Sequence, residues 1–160
     1  MNSKRLSLLA LFIALSAIGS AIKIPVVISS VALDAFPALL AAVLISKRSG
    51  ALVAGLGHVV SALLGGMPLG PLHILVAAEM ALIVWRFGYI YQSGQRIFAS
   101  VFFVIANGLL ASVPFIFLMS LSFYLAITPG LLIGALVNTI LALLLEPRVA
   151  SIFHSRMEGT

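Results

Sequence analysis

The stretch GLGHVVSALLGGMPLGPLH sets two histidines, His58 and His73, on either side of a Gly-Pro turn. An imidazole can donate, accept, carry a proton or bind a metal. The side chains that could share such work are few: the carboxyl groups of Asp34 and Glu79 and the carboxamides of Asn107 and Asn138, each inside an otherwise apolar stretch. An acidic residue at the centre of a lipid-spanning helix costs about 2.5–3.5 kcal/mol on insertion scales. Residues of this kind therefore face a bundle interior and mark a ligand or ion path. Counting from the ends of the apolar stretches puts His58, Glu79, Asn107 and Asn138 near mid-membrane, with Asp34 and His73 at outer helix ends. The inner half holds little besides Arg86, which snorkels to the near surface beside Trp85. The pattern implies a pocket that opens outward.

Each polar residue also has a purely structural reading. Asp34 precedes Ala-Phe-Pro and suits an N-cap, with Pro37 tolerated in the first turn. His73 follows Pro71 near the interface, where a histidine costs little. His58 and Glu79 can hydrogen-bond each other between helices, worth about 0.6 kcal/mol. Asn107 and Asn138 can serve as interhelical hydrogen bonds. Both sets of readings stay open at this level.

The elements that must position these groups follow from composition. The chain has 160 residues, 62% hydrophobic and 8% charged, with a net charge of +5 and a mean hydropathy of +1.26. Globular domains carry about a quarter charged residues, so this is an all-α integral membrane protein, a single domain over residues 1–160. Its basic residues sit singly and in pairs between apolar stretches, as topology determinants do, and nucleic acid is not an expected partner. With no cysteine, disulfides, thiol catalysis and thiolate metal sites are excluded.

Six spans are predicted, at 6–24, 32–46, 50–66, 71–91, 97–119 and 126–146, with a polar cytoplasmic tail over 147–160 in which His154 is solvated. The second, about 15 residues at 1.5 Å each, covers only about 22 Å of a roughly 30 Å core. Pro114 is expected to kink the fifth. An inside N-terminus puts Lys4, Arg5, Lys47, Arg48, Arg86, Arg96, Arg148 and Arg156 on the cytoplasmic side and only Lys23 outside, so both termini are cytoplasmic. The segments KIPVVISSVALD, GGMPLGP and SLSFYLAITPG then face outward. Lys4-Arg5 with the following LSLLALFIALSAIGSA also has the form of a signal peptide, with Gly19 and Ala21 near a cleavage position. The small residues Ala10, Ala14, Ala17 and Ala21 mark one helix face, however, which a retained helix needs and a signal does not. That face is the one expected to meet a partner subunit. Gly57, Ser61 and Gly65 form a further stripe, as do Gly130, Gly134, Asn138 and Ala142, and both are expected to let helices approach closely.

Three function classes compete. A small intramembrane metal-dependent enzyme would use His58, His73, Glu79 and Asp34 around an activated water, but neither an H-E-x-x-H spacing nor a G-x-S-x-G motif is present. A channel would need rings of like residues. A solute-binding membrane subunit needs an outward pocket and an energy source elsewhere, because the chain has no G-x-x-x-x-G-K-[ST] loop. The third class fits best, with no cofactor expected.

The run ALDAFPALLAAVLISKRSGALVAGLGHVVSALLGGMPLGPLHILVAAEMALIVWRFGYIY, preceded by LFIALSAIGSAIKIP, resembles the substrate-binding S components of energy-coupling factor (ECF) vitamin transporters over roughly residues 8–146. IKIP, ALD, GLGH, SALLGG, PLGPLH and AEMAL are most similar to carriers of alpha-ribazole, a cobalamin precursor; pantothenate, folate and other cobalamin-related compounds are the alternatives. The segment VVISSV after IKIP is more apolar than the Ser/Thr/Gly-rich loop expected there. The resemblance implies a six-helix bundle in the bacterial cell membrane that captures a vitamin or precursor from outside. It also implies docking on a transmembrane T component and two cytoplasmic ATPases, so that this chain is not itself an enzyme. The family's A-x-x-x-A docking motif falls on Ala10 and Ala14, with Ala17 and Ala21 extending the face. Substrate contacts would come from Asp34, His58, His73, Glu79, Asn107 and Asn138, with Phe36, Phe115 and Tyr124 as aromatic walls for the flat base. Core or lipid-facing packing is the structural reading of those aromatics.

Overall fold

In the computed structural model the backbone of residues 3–26 and 29–158 and the side chains of residues 3–22 and 32–151 are described. In chain order the elements are α1 (Ser3–Ala21), β1 (Lys23–Val26), β2 (Ser29–Ala32), α2 (Phe36–Leu44), α3 (Lys47–Leu64), α4 (Leu72–Gln92), α5 (Arg96–Ile105), a π-helical segment (Ala106–Leu110), α6 (Pro114–Leu118) and α7 (Leu121–Glu158). The fold is helical, in keeping with the all-α expectation, with one short hairpin besides. The connection after α1 is a two-stranded antiparallel hairpin pairing Lys23 with Ala32 and Val26 with Ser29. Its Ile and Val residues favour extended backbone. The Gly19 carbonyl accepts from the N–H groups of Ile22 and Leu33 at 3.1 and 3.0 Å, which ends α1 and pins the far end of the hairpin.

The sequence of α2, FPALLAAVL, has no polar residue, and Pro37 through Ala42 are buried. A helix that is apolar all round has to be enclosed, and α1, α3, α4 and α7 all pack on it. Enclosure raises the question of its terminal backbone groups, which have no partners within the helix. Asp34 does not supply them: the N-cap position is Ala35, with no side-chain cap, which corrects the capping reading of Asp34. Instead Asn138, from α7, accepts from the N–H of Ala35 at 3.1 Å and of Phe36 at 2.9 Å. Its Nδ2 donates to the Ala32 carbonyl, also at 2.9 Å. Pro37 has no N–H to satisfy, and those of Ala38 and Leu39 return to the Ala35 carbonyl. At the other end Gln92 Nε2 donates to the Ala42 carbonyl at 2.9 Å. The expected span 32–46 thus shrinks to nine residues, about 13.5 Å, because its first residues descend from the hairpin. Close packing follows: a Cβ on Gly50 of α3 would overlap Ala42.

The fifth predicted span is broken rather than kinked at its proline. Pro114 cannot donate, and its ring crowds the carbonyl four residues back. The backbone widens into the π segment and a turn at 111–113, and Pro114 then opens α6, where its fixed φ is suited to a first turn. A Cβ on Gly108 would overlap Leu132, so glycine is what lets the π segment press on α7. The segment SLSFYLAITPG, expected as an outer loop, is helical from Leu121, with Ser120 Oγ accepting the Phe123 N–H at 3.1 Å. Pro129 lies inside this helix, where Thr128 Oγ1 donates to the Tyr124 carbonyl at 2.7 Å; neighbouring groups of this sort accommodate proline in apolar surroundings. Helix α7 also runs through Pro147 to Glu158, so the tail from 147 continues the same helix. Its 38 residues make it about 57 Å long, nearly twice a roughly 30 Å hydrocarbon core. The side chain of His154 lies outside the described residues.

Four described helices are long and apolar enough to cross a membrane: Ser3–Ala21, Leu72–Gln92, Arg96–Leu118 and Leu121–Ser151. The side chains of Arg5, Lys47, Arg86 and Arg96 gather at one end of the bundle. Arg5 Nη2 donates to Ser46 Oγ and Ser49 Oγ at 2.9 and 3.0 Å. Lys47 Nζ lies 4.5 Å from the Tyr89 ring centre, Arg86 also stands over Tyr89, and Arg96 faces Glu146 at 4.0 Å.

Replacing Asn138 with Leu strands two N–H groups and a carbonyl at the head of α2. We expect a loss on the order of 3 kcal/mol, read as a fall of roughly 6–12 °C in the thermal unfolding midpoint in detergent. Asn138→Asp keeps the acceptor and should recover part of it.

Candidate functional site

At the end of the bundle away from the basic side chains, the base of the hairpin, α3, α4, the π segment, α6 and α7 enclose a cavity of about 360 Å³. Small side chains make the room: Ala111 after the π segment, and Gly130, Gly134 and Ala135 on α7. The stripe Gly130, Gly134, Asn138 therefore faces a void rather than a closely apposed helix, while Ala142 continues it into the core. Gly57 does meet a helix, since a Cβ there would crowd Ser16 of α1. Much of the remaining wall is apolar, including Val76, Met80, Ile127 and Leu131.

Of the polar residues singled out in the sequence, Asp34, His58, His73, Asn107 and Asn138 border the cavity. They come from the α2 lead-in, α3, α4, the π segment and α7, so five separate stretches of chain converge. Glu79 does not line it, and one of its carboxylate oxygens is buried without a hydrogen-bond partner. It makes no pair with His58. Among the described residues no three of His, Asp and Glu approach closely enough to hold a metal ion.

His58 is paired with His73 instead, Nε2 to Nδ1 at 3.1 Å. The backbone N–H of Leu69, in the connection between α3 and α4, donates to His73 Nε2 at 3.3 Å. That backbone donor fixes the order of protons. His73 Nε2 must be a lone pair, its Nδ1 carries the hydrogen, and His58 Nε2 accepts it. The proton of neutral His58 therefore sits on Nδ1, which is buried and has no partner. A donor in that state costs about 1–3 kcal/mol. The connection itself turns through Gly66, Met67 and Gly70, all at positive φ, Met67 at 53°; such backbone is uncommon for a residue with a side chain.

Among the aromatics, Phe115 lines the cavity, and its ring centre lies 6.0 Å from that of Phe123, which also lines it. Phe36 packs on the core and Tyr124 is half-buried outside the lining. Phe123 was not separable from Tyr124 in the sequence, because α7 was expected to begin only at 126 and its rotation was unknown. Small Ala111 and Ser112, also in the wall, carry no sequence signal at all.

On α1 the inward stripe is Leu9, Phe12, Ser16 and Gly19. Ala10, Ala14 and Ala21 are exposed and Ala17 is half-buried, so the alanine face is turned away from the bundle.

A helical bundle with a mostly apolar cavity, a few convergent polar groups and membrane-length helices defines a small-molecule-binding membrane protein. The family model for the substrate-specific component of ECF transporters matches residues 4–153, and the chain belongs to that family. Its fold is similar to a solved structure described as the S component of a bacterial ECF transporter. The TM-score is 0.76 at 21% identity, covering 96% of this chain and 99% of that one. No curated protein matches the sequence. The protein is accordingly a membrane-embedded, substrate-binding transporter subunit rather than an enzyme.

The histidine pair makes a measurable prediction. His58→Ala and His73→Ala should each lower the unfolding free energy, with a coupling of about 0.6 kcal/mol, up to about 1.7, in a double-mutant cycle. Strict additivity would mean that the two rings do not interact.

Proposed function

We propose that this chain captures a vitamin or vitamin precursor, alpha-ribazole in the first instance, from outside the cell and delivers it through ATP hydrolysis in partner subunits. The observation that carries the reading is the cavity of about 360 Å³ at the end of the bundle away from the basic residues. Its size falls within the range of about 300–1,000 Å³ usual for small-molecule pockets. The Phe115–Phe123 pair suits a flat dimethylbenzimidazole, and the polar groups beside it suit ribose hydroxyls. Aromatic walls and hydroxyl partners together are what favour alpha-ribazole over the other candidates.

In this reading α1, α2, α3, α4, the broken α5–α6 helix and α7 make six passes through the bacterial membrane, α2 being enclosed by the rest. Both termini are cytoplasmic, because the basic residues cluster at that end. The partners are a T component and two ATPases. The outward alanine face of α1, Ala10, Ala14, Ala17 and Ala21, suits the T-component contact, since small residues allow close helix approach in lipid.

Calorimetric titration of the detergent-purified protein tests the substrate. Saturable binding of alpha-ribazole at nanomolar to low-micromolar level, with free dimethylbenzimidazole much weaker, is the expected result. Absence of heat from either removes alpha-ribazole. A co-purification assay tests the docking face: Ala10→Leu with Ala14→Leu should strip the T component and ATPases from the chain while ligand affinity holds. Intact assembly would overturn that assignment.

A further inference from the structure

Six polar side chains border the cavity: Asp34, His58, His73, Asn107, Ser112 and Asn138. What each has left for a ligand can be counted. Asn138 spends both Oδ1 bonds on Ala35 and Phe36 and its Nδ2 bonds on the carbonyls of Ala32 and Gly134. The Ser112 hydroxyl proton goes to the Leu109 carbonyl at 3.0 Å, and the residue is only 1% exposed, which withdraws its lone pairs as well. His73 has one nitrogen on Leu69 and the other on His58, whose remaining nitrogen is buried and out of reach of the cavity. The histidines, which their chemistry makes the obvious ligand contacts, thus present ring faces and C–H edges only.

Two groups are left. The Asn107 carboxamide makes no hydrogen bond among the described residues and is not sealed off. The Asp34 carboxyl borders the cavity and makes no side-chain hydrogen bond among the described residues. It forms no ion pair among the described residues, and no described Lys or Arg lines the cavity.

From this count we infer that Asp34 and Asn107 are the specificity-determining polar groups, and that the ligand is a neutral or cationic molecule bringing hydroxyl or amino donors to Asp34. The inference rests on the capture reading above and deepens it. An ionised carboxyl only accepts, so its partner must donate. A ligand carboxylate would face Asp34 in surroundings of low dielectric, where like charges repel strongly. A carboxamide offers a donor and an acceptor together, matched to a hydroxyl or a ring nitrogen. The site therefore admits alpha-ribazole and amino-bearing heterocycles, and turns away pantothenate and folate, which carry carboxylates.

The test titrates the full-length protein in detergent with alpha-ribazole, pyridoxamine, pantothenate and folate, in wild type, Asp34→Asn and Asn107→Leu. At least one of the first two compounds should bind. Its affinity should fall roughly tenfold to a hundredfold in Asp34→Asn and roughly two- to tenfold in Asn107→Leu. Asp34→Asn should also narrow the gap between that compound and pantothenate, which a merely structural role would not do. Tight wild-type binding of pantothenate or folate keeps the capture reading and overturns this inference, as do unchanged affinities in Asp34→Asn and Asn107→Leu. A wild type silent to all four compounds, and free of any co-purified organic ligand by native mass spectrometry, removes both.

Discussion

A helix without a single polar residue cannot finish its own hydrogen bonds, and the rest of the fold is arranged around that constraint. Helix α2 is buried from Pro37 to Ala42 by its neighbours, so the backbone groups there have to find protein partners. Asn138 closes one end from α7 and Gln92 the other from α4. Because Asn138 also holds the Ala32 carbonyl, the same side chain fixes where the hairpin ends and where α2 begins. Hairpin, central helix and long α7 are thereby locked into one frame, and Asp34 is held at the cavity wall by the lead-in between Ala32 and Ala35.

The cavity arises from two kinds of omission. Glycine and alanine on the inner face of α7 leave volume unfilled, and the break ahead of Pro114 moves the wall outward. The π segment that accommodates the break carries Asn107 into the wall. Such segments recur at functional sites because they re-aim a side chain without ending the helix. The same wall holds a histidine pair whose protons are ordered by a backbone N–H from the α3–α4 connection. Rigid walls and few unsatisfied polar groups suit selection of one small molecule.

The two ends of the bundle have divided chemistry. One collects Arg5, Lys47, Arg86 and Arg96 on serine hydroxyls, aromatic faces and a glutamate, as interfacial side chains do. The other carries the hairpin, the glycine-rich α3–α4 connection and the cavity. Between them α1 turns one stripe inward and leaves its alanines facing out.

Composition and the spacing of basic residues were enough to read a polytopic helical membrane protein, because lipid forces every spanning backbone to satisfy itself and so leaves few architectures. Motifs along most of the chain pointed to an S component, and scarcity of polar residues drew attention to Asp34, His58, His73, Asn107 and Asn138 before their convergence was visible. Rotation about the helix axes was not legible. A turn of tens of degrees carries Glu79 off the wall, exchanges Tyr124 for Phe123, and decides whether a glycine stripe meets a helix or a void. Nor did the sequence reveal which polar groups spend themselves on the scaffold: Asn138 and the histidines look like ligand contacts until their partners, far away in the chain, are in place. The sequence by itself determined the class of protein, since hydrophobicity and charge act locally along the chain. Only the tertiary structure decided which polar atoms remain free in the cavity, since hydrogen-bond satisfaction depends on residues that folding alone brings together.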